Sequence, residues 1–234
     1  MVIAHMPERE PYVQRLWLVR HGITAWNSAR RLCGNQDIPL SEEGQMQADW
    51  VALQLSSLHL STIYTSDLSR AVQTAECISR QSSSAVSVIS SAAWREISFG
   101  DWEGLTYLQI AEQFPQYLSF FTDPMQCTPP HGEPFSTLLQ RVKDAFGLLV
   151  QAMAGNTMGD MVLVSHGGPL RVLLCWLLSL PFEQQWRLCI DHGSLSAIDF
   201  IPSADDVPST VTLAFLNLHA GLYKGVDEKA NRDV

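Results

Sequence analysis

The chain has 234 residues and a formal net charge of −9, from 15 Lys and Arg against 24 Asp and Glu, with 46% hydrophobic and 17% charged residues. That balance argues against non-specific nucleic-acid binding, which needs broad basic surface, and leaves any anion site to be built locally from a few arginines. The length fits one large α/β domain with a substantial core.

In chain order, residues 1–13 carry Pro7 and Pro11 and read as a loose arm, the expected domain spans 14–220, and 221–234 form a charged tail. Leu16-Trp17-Leu18-Val19 is a run of large and β-branched apolar residues, the pattern of a buried strand, and it passes directly into Arg20-His21-Gly22. Residues 23–40 lack periodicity and form a loop over that strand's end. Ser41 before Glu42-Glu43 opens a helix, with acids at the positive end of its dipole. Residues 62–65 read as a second strand, Ser66-Asp67 as the cap of a helix to about Ser79, and 85–89 as a weak third strand. The stretch 94–135 is irregular, with helical patches near 106–114 and 115–121. Apolar residues at 138, 139, 142, 145, 146, 149 and 150 predict an amphipathic helix over 136–153. Residues 160–165 make the best strand, and it too ends in His-Gly, at His166-Gly167-Gly168. A buried helix and two further strands, 195–201 and 211–218, follow.

Strands alternating with helices predict a mainly parallel sheet with helices on both faces, a three-layer α/β/α arrangement. Five cysteines with no C-x-x-C pair and no metal-ligand spacing read as buried thiols of a reducing compartment. The N-terminal residues include Glu8, Arg9, Glu10 and Arg15 and no apolar signal core, and the longest apolar run, 172–180, is far short of the ~20 residues of a membrane span. The expectation is a cytoplasmic protein, monomeric or homodimeric, with no membrane or nucleic-acid partner.

The chemistry turns on two strands that each end in His-Gly. In open parallel sheets ligands bind outside the carboxyl ends of the strands, so His21 and His166 would converge if the two strands are neighbours. A single such histidine is usually a satisfied core residue; two in the same context weaken that explanation. Arg70 follows the strand–polar turn Thr65-Ser66-Asp67 in the first turn of a helix, a setting for anion binding. In Arg95-Glu96-Ile97-Ser98-Phe99-Gly100-Asp101-Trp102-Glu103-Gly104, acids lie among aromatics, and a poorly solvated carboxyl suits general acid work.

These segments, with Ile23-Thr24-Ala25-Trp26-Asn27 and Pro39-Leu40-Ser41-Glu42-Glu43-Gly44, resemble the histidine phosphatase (phosphoglycerate mutase-like) superfamily in that family's order, over roughly residues 14–200. The resemblance implies a phosphoglycerate mutase-like fold, His21 as the phosphoryl-accepting nucleophile and Glu96 as the proton donor. It implies that Arg20, Arg70 and His166 hold the phosphoryl oxygens, with Asn27 assisting and Gly167 at the same site. No metal or other cofactor is implied, since two arginines and a histidine can offset the transferred charge. Flanking arginines would keep His21 neutral. Ile23 departs from the Glu or Gln usual in the family.

No Lys or Arg occurs from Glu96 through Gln140, while Phe99, Trp102, Tyr107, Phe114, Tyr117, Phe120 and Phe121 do. A mutase must hold a second anionic group of its substrate, which calls for cations. This stretch therefore favours the phosphatase branch, with a small phosphorylated metabolite as substrate. The aromatics either wall the site or fill the core, and helical spacing favours the core. Pro130-His131-Gly132-Glu133 is similar to a Pro-Gly-Gly-Glu-Ser loop of α-ribazole and related phosphatases, with His131 and Pro134 departing from it. The alternatives are a cofactor-dependent phosphoglycerate mutase and a phospholigand-binding relative with weak turnover.

Overall fold

The computed structural model describes residues 13–83, 85–154, 159–202, 208 and 210–223. The expected arm and tail lie almost wholly outside them. Six strands, β1 (Gln14–Arg20), β2 (Leu60–Thr65), β3 (Ser87–Ser90), β4 (Asp160–Ser165), β5 (Leu195–Phe200) and β6 (Val211–Leu218), form one sheet in the order β3-β2-β4-β1-β5-β6. The β3-β2-β4-β1 part is parallel, whereas β5 runs antiparallel to β1 and β6 to β5. This is the mainly parallel α/β sheet the alternation predicts.

Strand period two sorts the core into two layers. On β1, Leu16 and Leu18 pack with α5 (Phe135–Ala154) and α6 (Gly167–Leu177), while Trp17 and Val19 pack with α2 (Glu42–Leu55) and α3 (Ser69–Gln81). Met161 and Leu163 of β4 share the first layer and Val162 and Val164 the second. Both faces of the central strands are thus buried, which explains why they read as continuous apolar runs rather than alternating ones.

β1 and β4 are neighbours, with Val19 opposite Val164 and Arg20 opposite Ser165. The His21 N–H continues the ladder to the Ser165 carbonyl at 3.0 Å. Both His-Gly sequences therefore leave the sheet side by side at its carboxyl edge.

Two local expectations are corrected. The helix after β2 is not capped by Ser66 or Asp67: α3 begins at Ser69 with no side-chain cap from Leu68. Its first N–H donates instead to Asp37, 32 positions earlier in the chain (2.7 Å), and Asp67 pairs with Arg95 at 2.6 Å. A cap supplied by a distant loop leaves no mark in the local spacing. The 23–40 loop also contains a four-residue helix, α1 (Ala25–Ser28), closed by a Thr24–Asn27 capping box. In the irregular stretch lie α4 (Tyr107–Gln113) and a tight 3-10 turn over Pro115–Phe121. No helix among the described residues is long and apolar enough to cross a membrane. Cys33, Cys77 and Cys175 are buried as expected; Cys189 is exposed.

Candidate functional site

A cavity of about 250 Å³ opens at the carboxyl ends of β1 and β4. His21 lines it, and its ring meets that of His166 edge to face with centroids 4.8 Å apart; both side chains are buried, and His166 does not itself line the cavity. The His21 Nδ1 lies 2.7 Å from the Gly22 carbonyl oxygen. A carbonyl can only accept, so Nδ1 carries the proton and Nε2 keeps its lone pair. The backbone there is crowded: a Cβ on Gly22 would strike the Gly44 carbonyl at the start of α2, so only glycine lets β1 turn out against that helix. The pKa of His21 is pushed well below its usual value chiefly by burial, then by His166 and Arg70, with His192 and Arg20 contributing less. Flanking arginines thus act in the expected direction but are secondary to desolvation.

Arg20, Asn27, Arg70, Glu96 and Gly167 line the cavity with His21. Arg20 spends Nη1 on the Ile190 carbonyl at 2.6 Å and Nη2 on His192 Nε2 at 2.7 Å. Arg70 spends its two terminal nitrogens on the Gly34 and Gln36 carbonyls, each at 2.7 Å. The Nε of both arginines and both ring nitrogens of His166 are buried without a hydrogen-bond partner among the described residues. An unmet buried donor costs about 1–3 kcal/mol, so natural structures seldom concentrate them without use. Their number here suits a ligand rich in acceptor oxygens. Because Asp37 caps α3, it is the Arg70 guanidinium and not the helix end that serves the cavity. Asn27 accepts from Thr24 through Oδ1 and donates to Cys33 Sγ at 3.3 Å, so the capping box fixes its amide at the cavity wall.

Glu96 reaches the site from the loop after β3. Its carboxylate accepts from the Gly168 N–H, 3.2 Å from each oxygen, and from its neighbour Ile97 at 2.9 Å. It is seated on the first turn of α6, where free N–H groups favour an anion. A side chain at Gly168 would collide with it. Arg141 of α5 holds the loop from beneath, donating to the carbonyls of Ala93, Arg95 and Glu96 while pairing with Glu133 at 2.7 Å.

The aromatic stretch divides between the two roles. Phe99, Phe120 and Phe121 line the cavity, while the core residue Trp102 stacks on Phe121 and meets Phe120, itself buried, edge to face, and Tyr107 is exposed. His131 sits at φ 56°, a conformation that favours glycine, with its ring 3.0 Å from Asp101. Ile23 does not line the cavity.

Sequence reasoning missed four groups. His192 lies 5.4 Å from the His21 ring and holds Arg20. Arg31, Arg171 and Trp186 line the cavity. The stretch 96–140 brings no cation, as read, but Arg31 and Arg171 join Arg20 and Arg70 as four lining arginines from outside it, so that stretch does not alone set the charge facing a substrate. Arg171 could have been found from its place one turn after His166-Gly167-Gly168, on the same helix face as the site. His192 also stands before a glycine, Gly193, but it precedes β5 instead of ending a strand, so the strand-end signal passes over it.

The cavity thus brings together the guanidiniums of Arg20 and Arg70, the buried neutral imidazole of His21 and the Glu96 carboxylate. The model of the histidine phosphatase superfamily (branch 1) matches residues 16–209, and the chain belongs to that family. It is 32% identical over 185 residues to phosphoserine phosphatase 1 of Hydrogenobacter thermophilus, covering 79% of this chain and 85% of that one. Identity is 33% over 187 residues, 80% of this chain and 85% of the other, with the Yersinia pestis protein named probable phosphoglycerate mutase GpmB. The structure of the α-ribazole phosphatase from Shigella flexneri superposes with a TM-score of 0.72 at 29% identity, covering 88% of this chain and 96% of that one. The family's phosphoglycerate mutase-like fold is therefore the fold of this chain.

Proposed function

We propose that this chain is a metal-independent phosphomonoester hydrolase that works through a phosphohistidine at His21, on a small phosphorylated metabolite. The observation that carries it is the Nδ1–H bond to the Gly22 carbonyl, which presents the Nε2 lone pair in a buried site where the ring stays neutral. In the first step Nε2 bonds to phosphorus, the ester P–O bond breaks, and Glu96, which enters this step as the carboxylic acid, gives its proton to the leaving alkoxide. In the second, Glu96 takes a proton from water, the water oxygen bonds to phosphorus, and the N–P bond breaks. The unused Nε groups of Arg20 and Arg70, with His166 and the Asn27 amide, hold the equatorial oxygens, and positioning with charge compensation is most of what this reaction asks of a protein.

The relatives' names, a phosphoserine phosphatase and an α-ribazole phosphatase, support hydrolysis; that of GpmB keeps isomerisation as the competing activity. The test is phosphate release from an aryl phosphate in EDTA. Turnover through an acid-labile phosphoenzyme is expected, with His21→Ala lowering it at least about a thousandfold; a fully active H21A protein would overturn the mechanism. Supplying 3-phosphoglycerate with 2,3-bisphosphoglycerate separates the activities, and isomerisation faster than phosphate release would identify a mutase instead.

A further inference from the structure

Gln185 has no part in the chemistry proposed above, and no described residue occupies its amide. It lies in the 3-10 turn Phe182–Arg187 after α6, is only 3% exposed, and lines the cavity. No hydrogen bond reaches its side chain from the described residues. The turn is anchored on either side of it in the chain. Phe182 meets Phe135 of α5 with ring centroids 5.4 Å apart, and Trp186 meets Phe121 at 6.5 Å. The Trp186 ring also carries the Arg171 guanidinium, 5.4 Å from its centre. Buried amides are nearly always hydrogen-bonded, because taking one out of water without a partner is costly. A buried amide with no partner in the fold, on the wall of a cavity, is placed for a ligand.

What Gln185 adds to that wall is a free acceptor. The guanidiniums of Arg20, Arg31, Arg70 and Arg171 can only donate. The Glu96 carboxylate is held by the N–H groups of Ile97 and Gly168 and is reserved for proton transfer. The other lining amide, that of Asn27, has Oδ1 taken by Thr24 and Nδ2 by Cys33. Gln185 therefore offers the one neutral side-chain amide of the lining left free among the described residues, a donor and an acceptor side by side. Most of the remaining lining is apolar, Ile97, Phe99, Phe121 and Leu138 among it. A leaving group with several hydroxyls would find donors in the arginines but only one free amide oxygen for its own protons. A leaving group with a single polar position would be matched.

Building on the phosphoryl-site reading above, we infer that Gln185 is a specificity-determining residue whose amide binds a neutral hydrogen-bonding group on the alcohol half of the substrate. The substrate class is then phosphomonoesters of a largely apolar alcohol that carries one such group, a hydroxyl or a carboxamide. His21 and Gln185 line the same cavity, so an ester with its phosphorus on His21 places its alcohol half in the remainder of that cavity.

The test uses phosphonates, whose P–C bond the chain cannot hydrolyse: 3- and 4-carbamoylbenzylphosphonate, each against its apolar isostere with isopropenyl in place of carbamoyl. Calorimetry on the full chain should show at least one carbamoyl probe binding on the order of tenfold tighter than its isostere, the value of one well-placed hydrogen bond. Gln185→Leu, of similar volume, should reverse that order and melt no lower than the unmodified chain, since it replaces an unpaired amide with hydrocarbon. Equal binding of amide and isostere at both ring positions would overturn the inference, as would a Q185L protein that keeps the preference. A Q185L protein that melts early and weakens all four probes alike would mark Gln185 as structural and overturn it too. If no phosphonate binds, the phosphoryl-site reading falls and takes the inference with it; if all four bind alike, only the role of Gln185 falls.

Discussion

Arg141 donates through Nη2 to the carbonyl oxygen of Glu96 at 3.1 Å, so a helix residue on the far side of the loop sets the height of the candidate proton donor. The same guanidinium grips both oxygens of Glu133, at 2.7 and 2.8 Å, with side-chain exposures of only 20% and 13% for the pair. Arg141→Met would leave Glu133 poorly solvated and unpaired, a loss of about 3 kcal/mol for a buried pair broken on one side. The expected outcome is a lower melting temperature together with a reduced kcat for aryl phosphate and little change in KM. A variant that melts early but keeps full kcat would show that Arg141 does not position Glu96.

Glu96 and Gly168 can be tested as a pair. Glu96→Gln should lower kcat by about 10²- to 10⁴-fold, the range of a general acid–base group. Gly168→Ala places a methyl where the Glu96 carboxylate sits, and the side chain must move off the start of α6. This variant should fold normally by circular dichroism and lose a substantial part of the same kcat effect. Full activity of G168A would mean that the seat on α6 is dispensable.

The buried histidines give stability a pH dependence of defined sign. Burial, with the nearby arginines, drives the pKa of His166 well below its usual value, and that of His192 down to about 2, with burial again the leading cause. His21 is lowered in the same way. All three are neutral in the folded chain, whereas in the unfolded chain they take up protons below about pH 6.5. The contribution is therefore fully present above that pH and is lost as pH falls below it, by up to about 1.4 kcal/mol per pH unit for each histidine. Urea midpoints should fall between pH 7 and pH 5, and His192→Asn should make the slope shallower. A midpoint flat across that range would contradict a neutral histidine cluster.

Arg20 depends on His192. Since Arg20 Nη2 can only donate, His192 Nε2 accepts and its proton resides on Nδ1. His192→Phe removes that acceptor and leaves Arg20 held by the Ile190 carbonyl alone. Inhibition by inorganic phosphate or vanadate should weaken about tenfold, the value of one charge-assisted hydrogen bond. Unchanged inhibition would show that Arg20 is oriented without His192.

What could be read from the chain alone came from patterns a few residues long. β1 and β4 are apolar runs because both faces of a central parallel strand are buried, and each announces its exit by a polar His-Gly. α5 shows its helical period because one stripe faces the core. Arg20, His21, Arg70 and His166 stood out because each sits at the end of such an element, where side chains leave the core together, and Glu96 because it is an acid among aromatics in a loop. Tertiary structure decided what distant segments do to one another. It placed Asp37 and not Asp67 on α3, seated Glu96 on Gly168, put Arg141 beneath the loop, set His192 against Arg20, and brought Arg31 and Arg171 to a cavity to which residues 96–140 contribute no cation. Local spacing reports which face of an element is buried; which partner meets a charged group across dozens of residues follows from how the layers pack.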